Sequence, residues 1–141
     1  MSKAGKMSET FEYLHPAHWK KPKGFANGIA AEGRMVFLAG QIGWNAEQHF
    51  DSTDFVAQVR QALENIVALV AEAGGKPEHI TRLTWYVTSK QEYLANLSGL
   101  GAAYRAVMGK HFPTMTLVQV VALVEDLAKV EIEATAVVPH R

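Results

Sequence analysis

Phe112-Pro113-Thr114-Met115-Thr116-Leu117-Val118-Gln119-Val120-Val121-Ala122-Leu123-Val124, then Val130-Glu131-Ile132-Glu133-Ala134-Thr135-Ala136-Val137-Val138, is the stretch that decides the fold. From Thr114 to Val124 nearly every second residue on either face is apolar, so both faces of that strand should be covered. One cover can be a second copy of the chain. Glu125-Asp126 make a turn, and the following strand alternates. Glu131, Glu133 and Thr135 fall on one face, with Val130, Ile132, Ala134 and Ala136 on the other.

Upstream, Phe55, Val59, Leu63, Ile66, Val70 and Ala73 recur at steps of three and four, the spacing of one stripe on a helix over 54–73. Ser52 or Thr53 can cap its start, and Gly74-Gly75 can take the left-handed conformation that ends it. Ile80 to Thr88 sends Leu83, Trp85 and Val87 to one face and Arg82, Thr84 and Tyr86 to the other, as a strand does. Ser89-Lys90-Gln91-Glu92 has capping-box spacing. Behind it Tyr93, Leu97, Leu100, Tyr104 and Val107 predict a second amphipathic helix that stops near Gly109.

Toward the N-terminus, Phe25–Ala31 and Met35–Ala39 flank the turn Glu32-Gly33-Arg34 and predict a hairpin, with Gly40-Gln41-Ile42-Gly43 leaving the sheet. A further strand can form near Phe11–Leu14. Met1–Glu9 is too polar to order itself, so residues 1–20 are expected to form a flexible tail and 21–141 a single domain. The class is α+β, in the order β-β-α-β-α-β-β.

A chain of 141 residues has room for one core, and 48% hydrophobic with 20% charged residues is an ordinary globular composition. Lys plus Arg and Asp plus Glu both total 14, so no net field gathers phosphates, and a nucleic-acid partner is disfavoured. The absence of cysteine removes disulfides, thiolate metal sites and a Cys nucleophile, and fits a reducing, cytoplasmic setting. No run approaches the roughly 18 apolar residues of a membrane span, and Met1–Lys20 lacks the apolar centre of a secretory signal.

Of the six histidines, only His15 and His18 are spaced for shared metal ligation, and they sit in a loop without a third ligand. No metal and no cofactor are expected. Gly99-Leu100-Gly101 lies inside a helix and not between strand and helix, so it is not a dinucleotide fingerprint and suits close packing. Glu131 and Glu133 share one face. A carboxylate there can pass protons near neutral pH if it is drawn partly from water, although a solvated face is the more ordinary reading. Phe25, Trp44 and Trp85 can wall a pocket or simply pack in a core.

Several of these segments, in order, resemble the RidA/YjgF family of enamine/imine deaminases. Phe25-Ala26-Asn27-Gly28, Met35–Leu38 and Ala39-Gly40-Gln41-Ile42 are similar to its first hairpin and Ser-Gly-Gln-Ile turn. The helix from Gln58 to Ala73 with Gly74 is similar to its Gln-x-x-x-x-Leu-x-Asn helix, with Gln61, Leu63 and Asn65 at or near that register. Phe112-Pro113 and Val130-Glu131-Ile132-Glu133-Ala134 resemble its Phe-Pro-x-Arg and Ile-Glu-Ile-Glu-Ala strands. The match runs over about residues 24–138.

The resemblance implies a chorismate-mutase-like fold, a mixed sheet with two helices packed on one face, together with a homotrimer and a small-molecule ligand held in a cleft between subunits. It implies that Glu131 positions the hydrolytic water or stabilises the cationic imine. Substrate would lie among Phe25, Ala39, Gly40, Trp44, Trp85, Gly101, Met115 and Leu117. The family's carboxylate-clamping arginine is Met115 here, its tyrosine is Phe25, its serine is Ala39, and a helix asparagine is Gly101. These departures imply a larger, more apolar pocket, and hence a bulkier, less acidic substrate or a non-catalytic binder using the same cleft. RNA cleavage, attached to some members, suits a neutral chain least.

Overall fold

The computed structural model describes residues 11–141, so the tail expected over Met1–Glu9 lies outside the described residues. The elements are β1 (Phe11–Leu14), β2 (Gly28–Ala31), β3 (Arg34–Ile42), α1 (Phe55–Glu72), a short 3₁₀ turn (Pro77–His79), β4 (Ile80–Val87), α2 (Lys90–Ala95), α3 (Leu97–Met108), β5 (Thr114–Gln119) and β6 (Val130–Val138). The mixed α+β architecture is the one the patterning predicts.

The alternating strands form one four-stranded sheet in the order β3-β6-β4-β5, with β4 and β5 parallel and the other neighbours antiparallel. A parallel pair needs a crossover, which α2 and α3 supply. Leu63, Ile66 and Val70 of α1 pack on Leu83, Trp85 and Val87 of β4 and on Val130 and Ile132 of β6, all in the buried core. Glu131, Glu133, Tyr86 and Thr84 go to the opposite face, because Tyr86 pairs with Glu131 and Thr84 with Glu133. On that outer face Met35 and Phe37 of β3 and Val118 of β5 remain 62%, 73% and 42% exposed.

Five local expectations are corrected. β2 and β3 are not a hairpin: β2 pairs with β1, and β3 with β6. At Gly33, φ is +148° and a side chain would overlap the Val138 carbonyl, so the turn steers β3 onto the end of β6 and away from β2. Residues 11–20 are not wholly tail, since β1 is laddered to β2 and Phe11 is 3% exposed. The helix cap is Asp54, whose Oδ2 accepts from the Ala57 amide at 2.9 Å, and not Ser52 or Thr53. The second helix breaks at Asn96, whose side chain donates to the Glu92 carbonyl at 2.7 Å. β5 ends at Gln119 and not at Val124, because its partner β4 ends at Val87, leaving Val121 and Val124 in the open.

Candidate functional site

The register of β3 on β6 jumps from Leu38–Ala134 to Gln41–Ile132, so Ala39 and Gly40 together oppose Glu133. Such a bulge bends the strand and leaves backbone polar groups outside the ladder. Thus Gly40-Gln41-Ile42 does not leave the sheet as the sequence reading had it; the segment stays in β3 and kinks there. The kink seats Glu131. A methyl group built on Gly40 would overlap Glu131 Oε2 and lie 2.7 Å from its Cδ, so the carboxylate rests directly on the Gly40 backbone. Around it opens a cavity of about 280 Å³ lined by Gly40, Gln41, Ile42, Trp44, Gln48, Val124, Glu125 and Glu131.

Helix α1 holds both sides of this cavity. Asn65 Nδ2 donates to the carbonyls of Ile42 at 3.2 Å and Trp44 at 3.0 Å, while Gln61 donates to Asn65 Oδ1 at 2.9 Å and fixes its orientation. Gln58 is 1% exposed. It donates to the carbonyls of Ser52 and Leu127 and accepts from the Lys129 amide at 2.9 Å, which pins the turn before β6. Gln58, not Gln61, therefore stands at the Gln-x-x-x-x-Leu-x-Asn spacing with Leu63 and Asn65, a correction legible in the sequence. Gly43 allows the approach, because a Cβ there would come 2.6 Å from that of Gln58. Trp44 stacks obliquely on Phe50, ring centres 5.9 Å apart, on a loop whose Asn45 accepts from the amides of Glu47 and His49.

Of the other expected site residues, Ala39 shares the bulge and the rest lie away from it. Ala39 is exposed beside Gly40, and its carbonyl accepts from Gln41 Nε2 at 3.0 Å. Phe25 is 38% exposed and is tied to the start of β5, since the next residue, Ala26, bridges Thr114 and donates to the Pro113 carbonyl at 3.0 Å. Trp19, Lys20, Lys21 and Lys23 share its recess. Met115 and Leu117 pair with Leu83 and Trp85 on the helix side of the sheet and pack, partly buried, against the core. Gly101 sits on α3, its nearest neighbour the Arg105 guanidinium. Trp85 does not wall a pocket: it is 3% exposed in the core, edge-on to Tyr93.

Each chain thus carries two separate groups, Glu131 with Gly40 and Trp44 on one side, Phe25 with Met115 along the free edge of β5 on the other. Met115 and Glu131 are on opposite faces of the sheet. Neither Arg34 nor His111 supplies a cation beside Glu131. Arg34 donates to the Ala73 carbonyl at the end of α1, and His111 is bound through Nε2 to the Ile80 carbonyl at 2.7 Å. Burial also holds the His111 imidazole below its usual pKa. On the outer face, loss of water and the carboxylates of Glu133 and Glu131 push the Tyr86 phenol above its usual value. His15 has its two ring nitrogens toward the Trp19 carbonyl and the Asn27 side chain. Among the described residues no three His, Asp or Glu side chains form a metal cluster, and no helix is long and apolar enough to cross a membrane.

Sequence and fold both have relatives. Residues 20–138 match the family described as endoribonuclease L-PSP. The 2-iminobutanoate/2-iminopropanoate deaminase of Escherichia coli is 35% identical over 108 residues, covering 74% of this chain and 80% of that protein. Among solved structures, YyfB of Yersinia pestis, of the conserved Rid protein family, superposes with a TM-score of 0.80 at 30% identity, over 92% of this chain and 99% of that one. TdcF of Escherichia coli, solved with bound serine, gives 0.64 at 31% identity over 83% and 90%.

Proposed function

Because this chain belongs to the endoribonuclease L-PSP family, the RidA/YjgF proteins, we propose that it hydrolyses a reactive imine or enamine to a carbonyl compound and ammonia. The observation that carries this reading is the Glu131 carboxylate seated on Gly40 in a cavity walled by Trp44. Water attacks the carbon of the protonated imine while Glu131 takes a water proton. The carbinolamine so formed receives that proton on nitrogen, the C–N bond breaks, and the hydroxyl proton passes back to Glu131 as ammonia leaves and the carbonyl forms. Backbone amides of the Ala39–Gln41 bulge and of Leu117 can hold the polar end of the substrate.

The working site is a cleft between copies in a homotrimer. Two observations support that assembly. The outer sheet face leaves Met35, Phe37 and Val118 exposed, more apolar surface than a monomer keeps without use. Glu131 and Met115 lie on opposite faces of the sheet within one chain, so they would meet in a single cleft if a neighbouring copy brings its β5 edge to the bulge. With Met115 in place of a guanidinium, an imino acid has no two-pronged partner for its carboxylate, and the pocket suits a bulkier, less acidic substrate.

A trimer that binds the same ligands without turning them over is the second reading, and Met115 is what favours it. One assay separates them. Imines generated in situ by an oxidase are trapped by semicarbazide, and a hydrolase lowers the yield of trapped product. The wild type should do so and Glu131→Gln should not, with both variants trimeric. No effect of the wild type across a panel of imines would refute the enzymatic reading and leave the binder.

A further inference from the structure

We infer that this pocket takes a cationic imine with no carboxylate on the reacting carbon, and that Glu125 is the second anion setting this preference. The inference rests on the hydrolase reading and adds a substrate class. Glu131 and Glu125 line the cavity together with Gln41, Gln48 and Trp44. Among the described residues lining it there is no Lys, Arg or His. Two acidic residues lining one small cavity disfavour a carboxylate and favour an iminium, and a neighbouring tryptophan can add cation–π attraction.

The backbone of the turn that carries Glu125 is held in place. Its carbonyl accepts from the Ala128 amide at 3.0 Å, and Gln58 grips the same turn through Leu127 and Lys129. The half of the cleft contributed by a neighbouring copy offers Phe25, Met115, Leu117 and Gly101, all uncharged. Two sets of cations border that half, Arg105 beside Gly101 and Lys20, Lys21 and Lys23 in the Phe25 recess, so the test must include both. The balanced reaction is R–CH=NH₂⁺ + H₂O → R–CHO + NH₄⁺. Such a substrate is supplied by two-electron oxidation of a primary amine, not of an amino acid.

The test uses the full-length trimer and two ligands of equal chain length and opposite charge, butylammonium and butanoate, titrated by calorimetry. Butylammonium should bind at least about tenfold more tightly, and Glu125→Gln should shrink that ratio several-fold. Butanoate binding as tightly as butylammonium, neither ligand binding, or a ratio unmoved in Glu125→Gln would each overturn the inference. So would tight butanoate binding that Lys23→Gln or Arg105→Gln abolishes, which would make one of those cations an anion clamp. Kinetics keep the two claims apart. If butylammonium is preferred yet neither the butylamine-derived imine nor 2-iminobutanoate is hydrolysed faster than in buffer, the charge preference stands and the hydrolase reading falls.

Discussion

Replacing Gly40 by alanine puts a methyl group onto Glu131 Oε2, 2.7 Å from Cδ and 2.8 Å from Cγ. The backbone there is not left-handed, so conformation is no obstacle and the whole cost is this contact. The obstructing group is the end of a flexible side chain, which can swing aside. Stability should therefore fall by only about 1–2 kcal/mol, the range for mild overpacking with one off-rotamer torsion. If Glu131 acts as proposed, activity should suffer far more, because moving the reacting carboxylate by on the order of 1 Å can cost about 100-fold. Gly99→Ala is the comparison: its new methyl would meet only Val56, at 3.5 Å. On an exposed helix it should stabilise by about 0.5–1 kcal/mol and leave turnover unchanged. Thermal melts and the semicarbazide-trap assay on both variants decide the matter. A Gly40→Ala protein as active as the wild type would show that the seat of Glu131 on the bulge has no part in the chemistry.

Phe37→Asp places a charge on the exposed outer face of β3 and should convert the proposed trimer to monomer in sedimentation without unfolding it; a trimer surviving this change would mean that another surface assembles the protein. Met115→Arg should raise affinity for 2-oxobutanoate by on the order of 1–3 kcal/mol in calorimetry, the range of a charge-assisted pair, and unchanged affinity would show that position 115 does not face the ligand. The lowered pKa of His111 means that the unfolded chain binds a proton the folded chain refuses. Stability should thus hold above the ordinary histidine pKa of about 6.5 and decline as pH falls below it, and His111→Gln should flatten that part of the melting curve against pH.

Periodicity made most of the fold legible. The stripe of α1 and the alternation of β4 and β6 need only a count of apolar positions, and their bounds came within a residue or two. The errors fall where a distant partner overrules local pattern. Phe25–Ala31 and Met35–Ala39 read as a hairpin because they adjoin, yet Gly33 turns β3 toward β6, over 90 residues away in sequence. The apolar run to Val124 gave no sign of where β5 would stop, because that is set by the length of β4. At the site, Glu131, Gly40 and Trp44 were named and do converge. Gln48 and Glu125 were not, having no periodicity or motif to mark them. Gln58 was within reach, at the right spacing from Leu63 and Asn65. Trp85 was misplaced because alternation assigns a residue to a face without saying which face is the core.

A subunit-mixing assay tests most directly the claim that Glu131 of one copy works against the β5 edge of another. Trimers of Glu131→Gln and of Phe25→Glu are each expected to be inactive, one lacking the carboxylate half and the other having its aromatic half replaced. Unfolded together in equal amounts and reassembled, random trimers should recover about a quarter of the wild-type imine hydrolysis, because a cleft is intact only when both of its contributors are. No recovery from mixed trimers whose assembly is confirmed by mass spectrometry would contradict the account.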